Sequence, residues 1–224
     1  MIDPILSRIA GAVGDGGLNL VAAFAASRWE GAGALLDGAR SVIVVASGGR
    51  ALWARFTEWV AEAPRERFAD EPHPLERYVR GLLERAERVL VEEGGRARRL
   101  EPTFLFQPRV DFRRLAELAG LGAPSPIGMA VHPIFGPWWA LRGAWVVDRA
   151  IEETAALARP CEGCMAPCRA AIPPGTEGTI AAATRVARLA CVLGESRYSD
   201  EQLLYHYEPA AGRERVLARI DRRA

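Results

Sequence analysis

The stretch SPIGMAVHPIFGPWWALRGAWVV, residues 125–147, holds two apolar, strand-like runs, 127–131 and 139–147, separated by His132-Pro133-Ile134-Phe135-Gly136-Pro137. A connection that short joins antiparallel neighbours, because a parallel crossover needs a dozen or more residues. Upstream, SVIVVAS at 41–47 is continuously apolar and β-branched, as expected of a central strand buried on both faces, and Gly48-Gly49 closes it. Helical periodicity is clearest at 75–90, where Leu75, Tyr78, Val79, Leu82, Leu83, Ala86, Val89 and Leu90 share one face. Strands mixed with long helices, one strand pair antiparallel, predict an α+β sandwich rather than a doubly wound parallel sheet.

Shorter elements fill in around this frame. A short amphipathic helix is expected in the first ten residues, before the glycine-rich break at 14–17, and 18–27 fits either strand or helix. A helix is expected over 51–61, a polar connection over 64–74, a short strand over 103–106, and a helix at 112–118 before Gly120 and Gly122. The expected organisation is an α+β domain over 1–159, a Cys/Pro/Gly loop over 160–175, and an arginine-rich helical segment over 176–224 packed on the same domain.

The 224 residues carry 29 basic and 28 acidic side chains, and every basic one is arginine. The absence of lysine excludes a Schiff-base lysine, a P-loop lysine and a lysine general base. Arg and Glu alternate without a basic cluster, so a nucleic-acid partner is not expected. The N-terminal MIDPILSRIAGAV has no basic leader with a cleavage site, and the longest apolar stretch, 18–27, is too short to span a bilayer. The chain therefore reads as cytoplasmic, without a membrane partner.

Three of the four cysteines, Cys161, Cys164 and Cys168, have the spacing C-x2-C-x3-C. In a reducing compartment closely spaced thiols suggest metal or redox chemistry before a disulfide framework. Cys191 is the remaining thiol. The set fits one iron–sulfur cluster, a structural zinc, or a motif that binds nothing. The histidines are His73, His132 and His206. Trp138, Trp139 and Trp145 beside His132 and Arg142 compose a candidate pocket for a large, flat, partly anionic ligand.

Residues 125–147 resemble the I-x-G-V-x-I-H-P-x-F-G-x-W-x-x-x-R-G strand pair of the CblC (MMACHC) family, which binds and processes cobalamin. ESRYSDEQLLYHYEPAAGRERVLARI at 195–220 resembles that family's E-R-Y-S-E-E-Q-x-x-Y motif and following helix, with weaker likeness at 41–56 and 73–90. VDFRRLAELAGLG at 110–122, then HPIFGPW, then the cysteines, follow the order of epoxyqueuosine reductases and reductive dehalogenases. These families share a flavin-reductase or nitroreductase-like α+β scaffold, on which flavin is a further candidate cofactor.

The resemblance implies a corrinoid site at Gly128, His132, Pro133, Gly136 and Trp138, with the glycines allowing backbone approach to the corrin. It implies that Arg142, and a second arginine at Arg213, face a glutathione carboxylate. Tyr198 and Gln202 would close the pocket, and Asp111 stands where the reductases carry a proton donor. The implied function is a protein that holds base-off cobalamin and removes its upper ligand, by glutathione-dependent dealkylation or reductive decyanation. The alternatives are a cobalamin-dependent reductase with one cluster on Cys161, Cys164, Cys168 and Cys191, and a non-catalytic carrier with a zinc site. A reductase or cobalamin-trafficking protein is the expected macromolecular partner. Three departures stand out: Gln107-Pro108 replaces a histidine-proline pair, the reductases' lysine-bearing loop is absent at 122–126, and their second cysteine set is missing.

Overall fold

The computed structural model describes residues 2–68, 70–101, 110–174 and 180–220. Its centre is a sheet of β1 (Leu20–Ala25), β2 (Ser41–Gly48), β3 (Ala97–Leu100) and β6 (Trp139–Val147), ordered β1-β2-β6-β3 with every neighbouring pair antiparallel. The α+β class and the antiparallel sheet are as the sequence predicts. The expected partnership is not: the run at 127–131 does not pair with β6. Only Ala130–Val131 is a strand, β5, and it pairs with β4 (Ala123–Pro124) in a separate two-stranded ribbon. The reason is local, because His132 and Gly136 close a tighter turn on themselves, each backbone N–H donating to the other's carbonyl at 2.9 and 2.8 Å.

One face of the sheet is covered by α1 (Pro4–Gly14), α3 (Ala51–Glu62) and α4 (Pro74–Glu92), with Ile43, Val45, Trp145 and Val147 beneath them. The periodic residues of 75–90 are the buried stripe of α4, as predicted. Pro74 at its first turn has a preset φ and no N–H to leave unpaired. The other face, Val42, Val44, Ala144 and Val146, is covered by α5 (Phe112–Leu118) through Leu115, Ala116 and Leu118. Every residue of β2 is buried, because both of its faces and both of its edges are occupied.

The edge strand β3 was not anticipated, since Ala97-Arg98-Arg99-Leu100 has no apolar run, and the strand expected at 103–106 lies outside the described residues. The short helices α2 (Ala32–Leu35) and α6 (Pro167–Ala170) sit in connections, and α7 (Ile180–Leu189), α8 (Asp200–Tyr207) and α9 (Pro209–Leu217) complete the chain. The last two helices join the main core: Val216 and Leu217 are buried in it, and the Leu75 N–H donates to the Tyr205 hydroxyl at 3.2 Å. No helix among the described residues is long and apolar enough to cross a membrane.

Leu83 on α4 is buried against Gly143 of β6, where an added Cβ would lie 2.8 Å from its side chain. Leu83→Ala is expected to lower stability by about 2–5 kcal/mol in urea denaturation, as for other large-to-small core changes. A loss under about 1 kcal/mol would contradict the packing of α4 on the sheet.

Candidate functional site

The chemistry-bearing residues gather where β2 ends and β6 begins, around an irregularity in their pairing. Val45 faces Gly143 and Ala46 faces Leu141, so Arg142 is the extra residue of a β-bulge. The bulge keeps Trp139 and Leu141 on the α5 side along with Ala144 and Val146. It turns Arg142 toward the opposite face, where its Nε donates to Ser47 Oγ at 3.0 Å.

Arg142 is buried and has no carboxylate partner among the described residues. A second buried arginine, Arg188 in the last turn of α7, lies over the rings of Trp138 and Tyr198, 4.7 and 4.9 Å from their centroids. Its Nη2 donates to the Pro137 carbonyl at 2.7 Å and its Nη1 to the Tyr207 hydroxyl at 3.3 Å, but its Nε is buried without a partner. His206 lies close by, ring to ring with Tyr198 at 5.5 Å. Burial first, then the charges of Arg142 and Arg188, push His206 down to about 3. The imidazole is therefore neutral at pH 7 and adds no positive charge. Gln202 Oε1 and His206 Nε2 are also buried without partners.

Two desolvated guanidiniums with no counter-charge cost several kcal/mol each unless an anion completes them. Neutral carbonyl and hydroxyl partners leave that charge uncompensated. What the arrangement can do chemically is accept a carboxylate through guanidinium N–H donors.

His132 occupies the next turn. Its Nδ1 accepts from the Ile134 and Phe135 backbone N–H groups at 3.0 and 3.3 Å, and burial pushes it down to about 4. The neutral ring thus carries its proton on Nε2, which is buried without a described partner. The ring packs between Phe135 and Trp139, at 4.9 and 5.7 Å. Gly136 is required locally: its φ is +59°, and an added Cβ would sit 2.4 Å from the Leu193 carbonyl oxygen. Trp138 likewise lies under Arg188 and against Tyr198, 5.4 Å between centroids, rather than along an open cleft.

Gly128 does line open space. Its φ is +73° and nothing lies within 4 Å of an added Cβ. On one side a cavity of about 220 Å³ is walled by Phe112, Trp139 and Leu141, and on the other one of about 230 Å³ is walled by Asp111, Arg114 and Pro124. Asp111 caps α5, accepting from the backbone N–H groups of Arg113 and Arg114 at 2.9 and 3.4 Å. Burial raises its carboxyl, but the hydrogen bonds from the Arg113 side chain and these two N–H groups outweigh that and hold it below the usual range. Asp111 is therefore ionised and disposed to accept a proton rather than to donate one.

Cys191, thirty positions from Cys161 in numbering, is brought to the cysteine loop: Cys161, Cys164, Cys168 and Cys191 all line one small enclosed cavity and all are free thiols. Burial pushes the Cys161 and Cys191 thiols up, and neighbouring thiols push them further. Among the described residues no three or more His, Cys, Asp or Glu side chains are grouped so as to hold a single metal ion. Arg213 does not join Arg142; its guanidinium donates to the carbonyls of Phe68 and Glu71 at 2.7 and 2.9 Å. Pro133 sits in the His132 turn, and Gln107-Pro108 lies outside the described residues. Sequence reading missed Arg188, one of 29 arginines with no motif to single it out, and named His206 without giving it a role.

No family model and no curated protein matches the chain. Among solved structures it is similar to a Caenorhabditis elegans B12-trafficking protein CblC, a homologue of human MMACHC, with TM-score 0.64 and 16% identity over 95% of each chain. It is also similar to epoxyqueuosine reductases of Streptococcus thermophilus, TM-score 0.58, and Bacillus subtilis, TM-score 0.56, both 14% identical over 87% of this chain. It spans 66% of the length of each reductase. The fold expected from the motifs is thus the fold present: that of CblC and of a large part of the reductases.

Both perturbed histidines are neutral when folded and take up a proton near pH 6.5 when unfolded, so the unfolded state binds more protons below that pH. Stability is expected to be full above about pH 6.5 and to fall on acidification, by about 1.4 kcal/mol per pH unit per histidine, until about 4 for His132 and 3 for His206. Urea midpoints between pH 8 and 5 measure this, and His206→Phe should flatten the slope. An unchanged slope in that variant would show that the ring is solvated.

Proposed function

We propose that the chain binds a corrinoid with its lower base detached and removes the upper ligand, with a glutathione-like thiol as co-substrate. The observation that carries this reading is the pair of buried guanidiniums, Arg142 and Arg188, left without a carboxylate among the described residues. That pair fits the carboxylates of a small peptide thiol. The open space at Gly128, between apolar Trp139 and Leu141 and polar Arg114, supports corrinoid binding there. Each cavity is smaller than a corrin, so the bound macrocycle extends past these walls. His132 supports the base-off state in a particular way. Its lone pair at Nδ1 is consumed by two backbone N–H groups, so it offers the corrinoid a donor at Nε2 and no cobalt ligand.

In this reading Arg142 and Arg188 hold the thiol's carboxylate, and their charge lowers the thiol pKa. The thiol proton leaves to solvent, the sulfur takes the alkyl carbon, and the electron pair of the broken cobalt–carbon bond stays on cobalt. Catalysis comes mainly from holding sulfur and carbon in line. Tyr198 and Trp138 keep Arg188 in place, and Arg142 is kept by the bulge and Ser47. Arg142→Met and Arg188→Met are each expected to raise the thiol KM about tenfold or more, the cost of one charge-assisted hydrogen bond. The spectral shift of methylcobalamin toward the base-off form should persist. Unchanged thiol dependence in both variants, or no shift in the parent protein, would overturn the proposal.

The convergence of all four cysteines favours a second reading, a cobalamin-dependent reductase with one iron–sulfur cluster. Four thiols lining one cavity, two of them pushed up by burial and further by neighbouring thiols, would be stabilised as thiolates by a polynuclear cationic centre. Such a centre would supply single electrons. Flavin in its place has no observation on this structure to recommend it. After anaerobic purification this reading expects several irons per chain and a broad visible absorption, both lost in Cys164→Ser. Equal metal content in parent and variant would remove it, and about one zinc without iron would indicate a carrier.

A further inference from the structure

The largest cavity described here, about 460 Å³, lies away from these sites, between α3, the turn at Arg65–Phe68 and α4. We propose that it is a binding site for a nucleoside 5′-phosphate. This inference is independent of the corrinoid reading.

The phosphate end is written in the spacing of α4. Arg77, Gly81 and Arg85 fall at i, i+4 and i+8, one stripe along the helix, with Arg80 beside them. Gly81 makes a notch in that stripe, because a Cβ there would meet nothing within 4 Å. Arg77 and Arg85 form no ion pair among the described residues, and Arg80 reaches Glu101 only at 3.9 Å. Glu84 is the one acid in a wall with four arginines, and Glu87, further along the helix, is engaged with Arg99 instead. The guanidiniums of Arg77 and Arg85, without ion pairs among the described residues, offer the forked donors that phosphate oxygens take.

The base end is a fixed planar wall. Trp59 packs edge-on against Phe68 at 5.3 Å and meets Tyr78 at 5.3 Å, and the Tyr78 hydroxyl donates to the Gly16 carbonyl at 3.1 Å. The Arg67 guanidinium lies 5.0 Å over the Trp59 ring, and both line the cavity, where a guanidinium or indole plane can stack a base. Arg67 is in turn placed by its own carbonyl, which accepts from Arg77 Nη1 at 2.9 Å. An aromatic and guanidinium platform next to phosphate-binding arginines matches a nucleotide and exceeds what a simple anion needs. The cavity is in the size range of small-molecule sites. The net charge of +1 gives no wider basic surface on which a nucleic-acid strand would track.

Isothermal titration of the full chain with AMP, adenosine and inorganic phosphate tests this. AMP is expected to bind in the micromolar range, with adenosine and phosphate each at least about tenfold weaker, since each supplies half of the contacts. The Arg77→Ala/Arg85→Ala double variant should weaken AMP at least about tenfold. Gly81→Leu should block the notch while keeping or raising thermal stability, because leucine is the better helix former at an exposed position. Three results would overturn the proposal: no AMP binding at millimolar concentration, phosphate binding as tightly as AMP, or AMP binding unchanged in both variants.

Discussion

The register of β6 against β2 is the constraint on which the rest depends. One unpaired residue, Arg142, lets Trp139 and Leu141 before it and Ala144 and Val146 after it pack against the same helix, α5. Without the bulge, strict alternation would place one of those pairs on the wrong face. The same extra residue takes Arg142 out of the ladder and turns it to the side where α8 lies. A packing requirement of the strand and the placement of a charged group are therefore one feature of the backbone.

That placement explains the electrostatics at the sheet end. Arg142 and Arg188 come from a strand and a helix far apart in the chain, and neither meets a carboxylate among the described residues. Burial first, and their field after it, keep His206 neutral, so the imidazole adds no further positive charge there. Aromatic faces from Trp138 and Tyr198 hold Arg188 through cation–π contact, which leaves its Nε unsatisfied. The cysteine cavity sits just behind: Pro137, whose carbonyl accepts from Arg188, also lines it, and Gly136 packs on Leu193 two residues after Cys191.

Several residues named by the family resemblance also have local structural tasks. Gly136 and Trp138 belong to the motif, but Gly136 is needed for close approach of Leu193 and Trp138 serves Arg188. Asp111 is an N-cap before it is anything else, and its hydrogen bonds keep it ionised. Arg213 is spent on the carbonyls of Phe68 and Glu71.

What the sequence by itself determined is what local chemistry decides: the buried stripe of α4 from its 3.6-residue period, the doubly covered β2 from its unbroken apolar run, and the thiol spacing at 161–168. The antiparallel class was also legible, although through a strand pairing that does not exist; the His132–Gly136 turn closes on itself, and β6 finds β2 and β3 instead. Only the tertiary structure could decide that Arg99 lies on a sheet edge, that Cys191 meets its three counterparts, and that Arg188 rather than Arg213 stands near His206 with Arg142. Those facts depend on contacts between segments distant in sequence, set by how the two faces of one sheet are covered, and no short-range pattern of residues encodes them.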